Sequence, residues 1–285
     1  GYEGSLVDKY TRIAWLLIFK CTSLRFLADV NLTEQPNPAV VGLPSWAPNW
    51  SSPGNAAYFH AHFRAAGDIP MFPYPLGEGM EEGIMNARGF KYDAVHQVLG
   101  TRDDADYPLS QIFTFSTSVL DSCANLPEFL DKLASALIEP SLAKLQLSRD
   151  YFRKTEKILY LYVLHYYAFA TPGLRIPDIL PYQADVYLQS REDWIGLITG
   201  LRKFRDFLPV KLRRLDLRKL SNALPQNLDQ YRRFGNFIAL INQTLSSGRL
   251  ILSASFQFGI IERKAAVKER DEVWILFGCP VPMIL

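Results

Sequence analysis

The sequence has little of what identifies several common classes of protein. Its three cysteines (Cys21, Cys123 and Cys279) are odd in number and form no CxxC pair, which argues against a disulfide framework and favours reduced thiols in the cytoplasm. The apolar run from Ile158 to Ala170 is shorter than the roughly 20 residues that span a bilayer, so it predicts a buried central helix. The formal net charge of +2 gives no reason to expect a nucleic-acid partner.

Groups that could perform catalysis or bind a metal ion are also scarce. His60 and His62 have a spacing that would place both imidazoles on one face of a strand, but a metal site needs at least three protein ligands. His96 and His165 are isolated, and no GxSxG nucleophile motif is present. The glycine-rich residues 77–83 carry three acidic side chains that would repel phosphate. The sequence therefore predicts no catalytic residue, no cofactor and no metal.

What the sequence has in abundance is apolar residues, which make up 48% of the chain and suffice for one large domain or two smaller ones. Strand-like segments occur before about residue 100 and after 249, and the residues between them have mainly helical patterns. Because strands do not alternate with single helices, we predict an α+β fold. We expect an N-terminal part with a helix and strands at 1–105, a helical block at 106–247, and strands at 248–285 that pair back, either as separate domains or as one domain with a helical insertion.

Apolar spacing predicts the individual elements and their buried faces. In residues 5–20, Leu6, Tyr10, Ile13 and Leu17 lie three or four apart, which indicates a helix with that face buried. Trp15 and Ile18 widen the apolar stripe, so we expect the helix to be buried on more than one side. Further helices are predicted over 125–140, 149–170, 185–207 and 226–246, and strands over 84–98, 250–258 and 272–277.

Residues 43–51, LPSWAPNWS, contain two tryptophans, each two positions after a proline. Pro44 and Pro48 fix their own φ and exclude a regular helix, so the segment is predicted to hold Trp46 and Trp50 at a set spacing on an extended chain. Indoles bury a large apolar area. Because no charged groups converge nearby, we expect a structural clasp that pins a loop to the core rather than a ligand platform.

The same segment resembles the Leu-Pro-Ser-Trp-x-Pro-Asp-Trp-Ser signature of fungal heterokaryon-incompatibility (HET-domain) proteins, where it follows the HET domain. Three further stretches resemble the family in the same order: residues 10–18 the helix after that domain, 86–93 a later strand, and 270–285 a block near the end, where Arg270 replaces the usual glycine. The signature residues, all expected to be structural, are Leu43, Pro44, Ser45, Trp46, Pro48, Asn49 (in place of the usual Asp), Trp50, Gly89, Asp93, Asp271, Gly278 and Pro282.

This resemblance implies a function that the residues alone do not indicate. The family acts in non-self recognition between fused hyphae and in the programmed cell death that follows. By resemblance, the chain is a cytoplasmic accessory or regulatory region without catalysis of its own. Its expected partner is a HET domain upstream of Gly1 or another incompatibility protein. The alternative is that the chain is part of a TIR-like, NAD-cleaving effector, whose active site would lie upstream of Gly1.

A basic stretch at residues 202–219 supports a further alternative. Leucines are interleaved with its Lys and Arg residues, so the leucines can face a core while the cations face an anionic lipid surface. A solvated helix face is the competing interpretation, and no aromatic interleaving indicates a platform for nucleic-acid bases. The candidate contacts to an anionic surface are Arg202, Lys203, Lys211, Arg213, Arg214, Arg218 and Lys219.

Overall fold

The computed structural model describes residues 4–21, 23–24, 26–27, 41–44, 46–50, 65–67, 69, 85, 87–100, 109–117, 125–170, 173, 228–263, 265–277, 279 and 281–285. Five α-helices lie within these ranges: α1 (Leu6–Cys21), α2 (Leu109–Thr117), α3 (Leu126–Lys144), α4 (Lys154–Ala170) and α5 (Leu228–Ser247). Five strands accompany them: β1 (Gly89–Val98), β2 (Gly248–Ser253), β3 (Phe258–Glu262), β4 (Glu272–Leu276) and β5 (Met283–Ile284). Helices and antiparallel strands occupy separate stretches of the sequence, which confirms the predicted α+β class.

The chain forms two compact units. The first contains Gly1–Val98, Ser253–Ser255 and Lys264–Leu285, and the second contains Leu99–Leu252 and Phe256–Arg263. The chain therefore leaves the first unit after β1 and forms α2 to α5 and the hairpin of β2 and β3 in the second unit. It re-enters the first unit briefly at Ser253–Ser255 and finally for β4 and β5.

In the first unit, β4 pairs antiparallel with β1 on one side and with β5 on the other. Gly89 lies opposite Leu276, and Trp274 lies opposite Met283. The register shifts between Lys91 and Asp93, so β1 carries a bulge, a feature that bends a strand and redirects its side chains. The late strand β4 thus pairs with an early strand from more than 170 positions before it.

Helix α1 forms where the apolar spacing predicts it, but only part of the predicted stripe is buried. Ala14 and Ile18 are buried, whereas Ile13 and Leu17 are 45% and 37% exposed. The prediction that Ile13 and Leu17 face the core is therefore wrong. Apolar residues surround most of this helix, so spacing alone allows several of its faces to be buried.

The second unit is built around α4, whose residues from Ile158 to Leu164 are all buried. This confirms the predicted central helix. Helix α3 packs against both α4 and α5, and aromatic rings fill the space between them, with Phe152 and Phe237 in an edge-to-face contact at 5.4 Å between ring centroids. The hairpin of β2 and β3 rests on α3 through Phe129 and Phe258, whose centroids are 5.0 Å apart.

Two predicted boundaries are wrong. The helix predicted over 125–140 does not end at Pro140, because Pro140 lies inside α3, which continues to Lys144. Its ring is buried, and the neighbouring Ser141 hydroxyl is 2.8 Å from that of Thr244 on α5, so packing against α5 offsets the backbone hydrogen bond that proline cannot make. The alternating side chains over 250–258 predicted one continuous strand, but residues 254–257 form the turn between β2 and β3.

Candidate functional site

All the signature residues that the structure describes lie in the first unit. Ser45 and Gly278 lie outside the described residues, as do the whole basic stretch at 202–219 and the pair His60 and His62. The described members are Leu43, Pro44, Trp46, Pro48, Asn49, Trp50, Gly89, Asp93, Asp271 and Pro282.

Trp46 joins the proline-rich segment to α1. It is 8% exposed, and its ring meets that of Trp15 edge to face, with the centroids 5.5 Å apart. The turn that carries it is held by the Ala47 N–H, which donates to the Pro44 carbonyl at 2.9 Å. Trp46 belongs to the apolar cluster of this unit, which contains Ala14, Ile18, Leu24, Phe26, Leu27, Ala47, Leu276 and Cys279. The cluster therefore brings together α1, the proline-rich segment and the end of β4.

Trp50 also contacts α1, but at the surface. Its ring meets that of Tyr10 edge to face at 5.4 Å between centroids, and the side chain remains 38% exposed. The two indoles of the segment are therefore unequal: Trp46 is part of the core, and Trp50 covers the helix from outside.

At Gly89, β4 approaches β1 too closely for a side chain on β1. A Cβ at this position would lie 2.4 Å from the Ile275 carbonyl oxygen and 2.8 Å from Cδ2 of Leu276. The first of these atoms belongs to the backbone and cannot rotate away. A glycine is therefore required here by the spacing of the two strands.

Replacing Gly89 with alanine is expected to lower the free energy of unfolding by about 2 kcal/mol, because the added methyl group must push β4 away. Chemical denaturation measures the loss. Gly259→Ala on β3 is the matched control, since a Cβ there meets only the Ile251 side chain, at 3.2 Å, which can move. Equal stability of Gly89→Ala and the wild-type protein would contradict the close approach.

Asp93 holds the turn that follows β2. Its carboxylate accepts hydrogen bonds from the Ala94 N–H at 2.8 Å and from the Ser255 N–H at 3.2 Å, and also from the Ser255 hydroxyl. Burial raises the pKa of Asp93, but the hydrogen bonds from Ser253, Ser255 and the backbone together lower the pKa by more. The net pKa is therefore below the usual value. The carboxylate is therefore charged at neutral pH and serves as a structural acceptor.

Asp271 and Arg270 shape the turn before β4. The Asp271 carboxylate accepts from the Lys268 N–H at 2.8 Å, and its carbonyl accepts from the Val95 N–H at 2.8 Å. The Arg270 N–H donates to the Val95 carbonyl at 2.7 Å. Arg270 has a φ of +75°, a left-handed conformation that favours glycine. The chain thus keeps a glycine-type turn although the residue is arginine.

Replacing Arg270 with glycine is expected to raise the free energy of unfolding by about 0.5–1 kcal/mol. The substitution removes the strain of a left-handed residue with a Cβ, and the greater freedom of glycine in the unfolded chain cancels part of the gain. Thermal and chemical unfolding measure it. Arg270→Ala is the control, because it removes the same charged side chain and retains the Cβ, and a gain as large in that variant would show that the backbone conformation is not the cause.

A further polar pair spans β1 and β4. The Lys91 ammonium lies 2.6 Å from the Glu272 carboxylate, which also accepts from the Trp274 indole N–H at 2.9 Å. The hydrogen bonds from Lys91 and Trp274 lower the pKa of Glu272. No sequence pattern indicates this pair, because its members come together only through the register of the two strands.

The carboxylates in this part of the first unit are therefore engaged in turns and strand contacts. Within the described ranges, no group of three or more His, Cys, Asp or Glu residues could hold a metal ion. Among the described helices, none is both long enough and apolar enough to cross a membrane. The arrangement has the properties of a structural framework whose signature residues fix the backbone.

Comparison with known proteins found no match to the chain among protein-family models, curated proteins or solved structures.

Proposed function

We propose that the chain is an accessory, regulatory region of a fungal heterokaryon-incompatibility protein. It acts in the cytoplasm in non-self recognition and the cell death that follows, through a protein partner and without catalysis of its own. The partner is the HET domain of the same protein or another incompatibility protein. The proposal is based on the collinear motifs of the sequence, and the geometry at those motifs supports it.

The observation that carries the proposal is the backbone of Arg270. The resemblance implies glycine at this position, and Arg270 has the φ of +75° that glycine adopts easily. Gly89 supports the same conclusion independently, since the approach of Ile275 leaves no space for a Cβ. At both positions the backbone has the geometry that a glycine of the family would explain. At position 270 this holds although the side chain is arginine.

Strain pairing in a filamentous fungus tests the proposal. We expect the full-length protein, expressed with an incompatible partner, to cause death of fused hyphae, and the chain alone to cause none. Removing these 285 residues from the full-length protein is expected to abolish the dependence of death on the partner. Death caused by the chain alone, or a deletion that leaves the pairing response intact, would contradict an accessory role.

Incubation of the purified chain with NAD tests the enzymatic alternative. We expect the NAD concentration to stay constant, because the proposal assigns no catalysis to these residues. Release of nicotinamide by the chain would overturn the proposal in favour of an NAD-cleaving enzyme.

A further inference from the structure

Helix α1 exposes three aliphatic side chains that lie beside and beyond its buried residues. Ile13, Leu16 and Leu17 are 45%, 49% and 37% exposed, whereas Ala14 and Ile18 are buried. Scattered single apolar residues are normal on protein surfaces, but a contiguous group indicates an interaction site. Residues three and four apart are neighbours on a helix, so these three side chains form one continuous patch.

Cations border this patch along the helix. Lys9, Ile13, Leu16 and Lys20 follow one another at spacings of four, three and four, so they lie in one stripe with a lysine at each end. Arg12 is exposed and lies one turn before Leu16. The acidic residue of α1, Asp8, is near the start of the helix, where its carboxylate accepts from the Ser5 N–H at 3.1 Å and the Ser5 hydroxyl at 2.8 Å.

We propose that this face of α1 binds the surface of a membrane that contains anionic lipids, with the helix axis parallel to the bilayer plane. The aliphatic side chains enter the boundary between headgroups and acyl chains. Lys9, Arg12 and Lys20 extend along their own aliphatic stems and place their charges at the lipid phosphates.

The exposed ring of Trp50 extends the same surface. It contacts Tyr10, which lies one turn before Ile13 on the helix. Tryptophan is enriched at the interface between membrane and water, because its ring is apolar while its N–H is polar. A tryptophan next to an aliphatic patch with cations at both ends matches the chemistry of an anionic bilayer surface.

The charges favour a membrane over a protein partner. Lysine is depleted at protein–protein interfaces, where its charge must lose water, whereas at a bilayer its long stem keeps the ammonium group among hydrated headgroups. Here lysines continue the same stripe as the aliphatic residues. A protein interface also needs about 800 Å² from each partner, while a few inserted side chains with adjacent cations suffice for peripheral membrane binding.

Vesicle flotation with the purified chain tests this inference. We expect binding to vesicles of phosphatidylcholine with phosphatidylserine, weaker binding as NaCl is raised, and little binding to phosphatidylcholine alone. Leu16→Gln is expected to weaken binding about tenfold, since the inserted side chain becomes polar, and Lys20→Gln about fivefold. Leu145→Gln is the matched control, because Leu145 is 52% exposed and lies outside α1, and it should bind as the wild-type protein does.

The outcomes distinguish the alternatives. Absence of binding at low salt would overturn the inference. Binding that is equal in the wild-type protein, Leu16→Gln and Lys20→Gln would place the lipid contact elsewhere in the chain and would overturn it too. A dimer in solution that Leu16→Gln dissociates, without vesicle binding, would assign the face to a second copy. Ile13→Gln serves as a second variant if Leu16→Gln melts at a lower temperature. None of these results bears on the strain-pairing test.

Discussion

Replacing Trp46 with alanine is expected to lower the free energy of unfolding by ~3–5 kcal/mol, the range measured when a buried large aromatic side chain is truncated. The indole is 8% exposed and meets Trp15 edge to face. Its removal leaves a cavity between α1, the proline-rich segment and the end of β4, since Leu276 and Cys279 belong to the same apolar cluster. Denaturant unfolding followed by circular dichroism measures the loss.

Trp50→Ala provides the matched control within the same segment. Its side chain is 38% exposed and contacts Tyr10 at the surface, so we expect a loss of about 1 kcal/mol from the removed ring contact and the smaller buried area. Equal losses for the two variants would contradict the unequal roles of the indoles. No loss in either variant would contradict the structural role of the whole segment.

Acidification is expected to destabilise the protein through His165. Its ring stacks on Phe113, with centroids 4.4 Å apart, and burial lowers its pKa from 6.5 to about 4. Because the pKa is lower in the folded chain, the unfolded chain binds the proton first as the pH falls. The contribution to stability is complete above pH 6.5 and is lost as the pH falls toward 4, by about 3 kcal/mol in total.

The contribution of His165 is isolated by comparing the wild-type protein with His165→Gln across this pH range. Carboxylates titrate in both proteins, so the difference between their stability curves reports the histidine. We expect the difference to change by about 3 kcal/mol between pH 7 and pH 4. His96→Gln is the control, because His96 is exposed on β1 and the substitution leaves the buried ring in place. Parallel curves for the wild-type protein and His165→Gln would contradict the burial of this ring.

The elements that sequence patterns predicted well are those with strong local signals. The apolar run of α4 indicated a central buried helix, and Asn125 marked the start of α3, where its side chain accepts from the Glu128 N–H at 3.3 Å. These features depend on residues close together in the chain. Local sequence patterns were therefore sufficient to predict the fold class and most of the described helices.

The features that sequence patterns missed depend on distant partners. The buried face of α1 is selected by contacts with residues such as Trp46, and α1 is apolar on several sides. The turn after β2 depends on Asp93, more than 150 positions earlier, which binds Ser255. Gly89 is among the residues expected to be structural, but the partner that makes glycine necessary there, the Ile275 carbonyl, lies across the strand pair. No local pattern contains this information.

Hydrogen exchange in the first unit tests the central claim, that the signature residues hold this unit together. In the wild-type protein we expect slow exchange of the backbone amides of α1 and β4. In Trp46→Ala and Gly89→Ala these amides should exchange much faster, while Leu145→Gln should match the wild-type protein. Unchanged protection of α1 and β4 in both signature variants would contradict the claim and would point to a binding role for these residues instead.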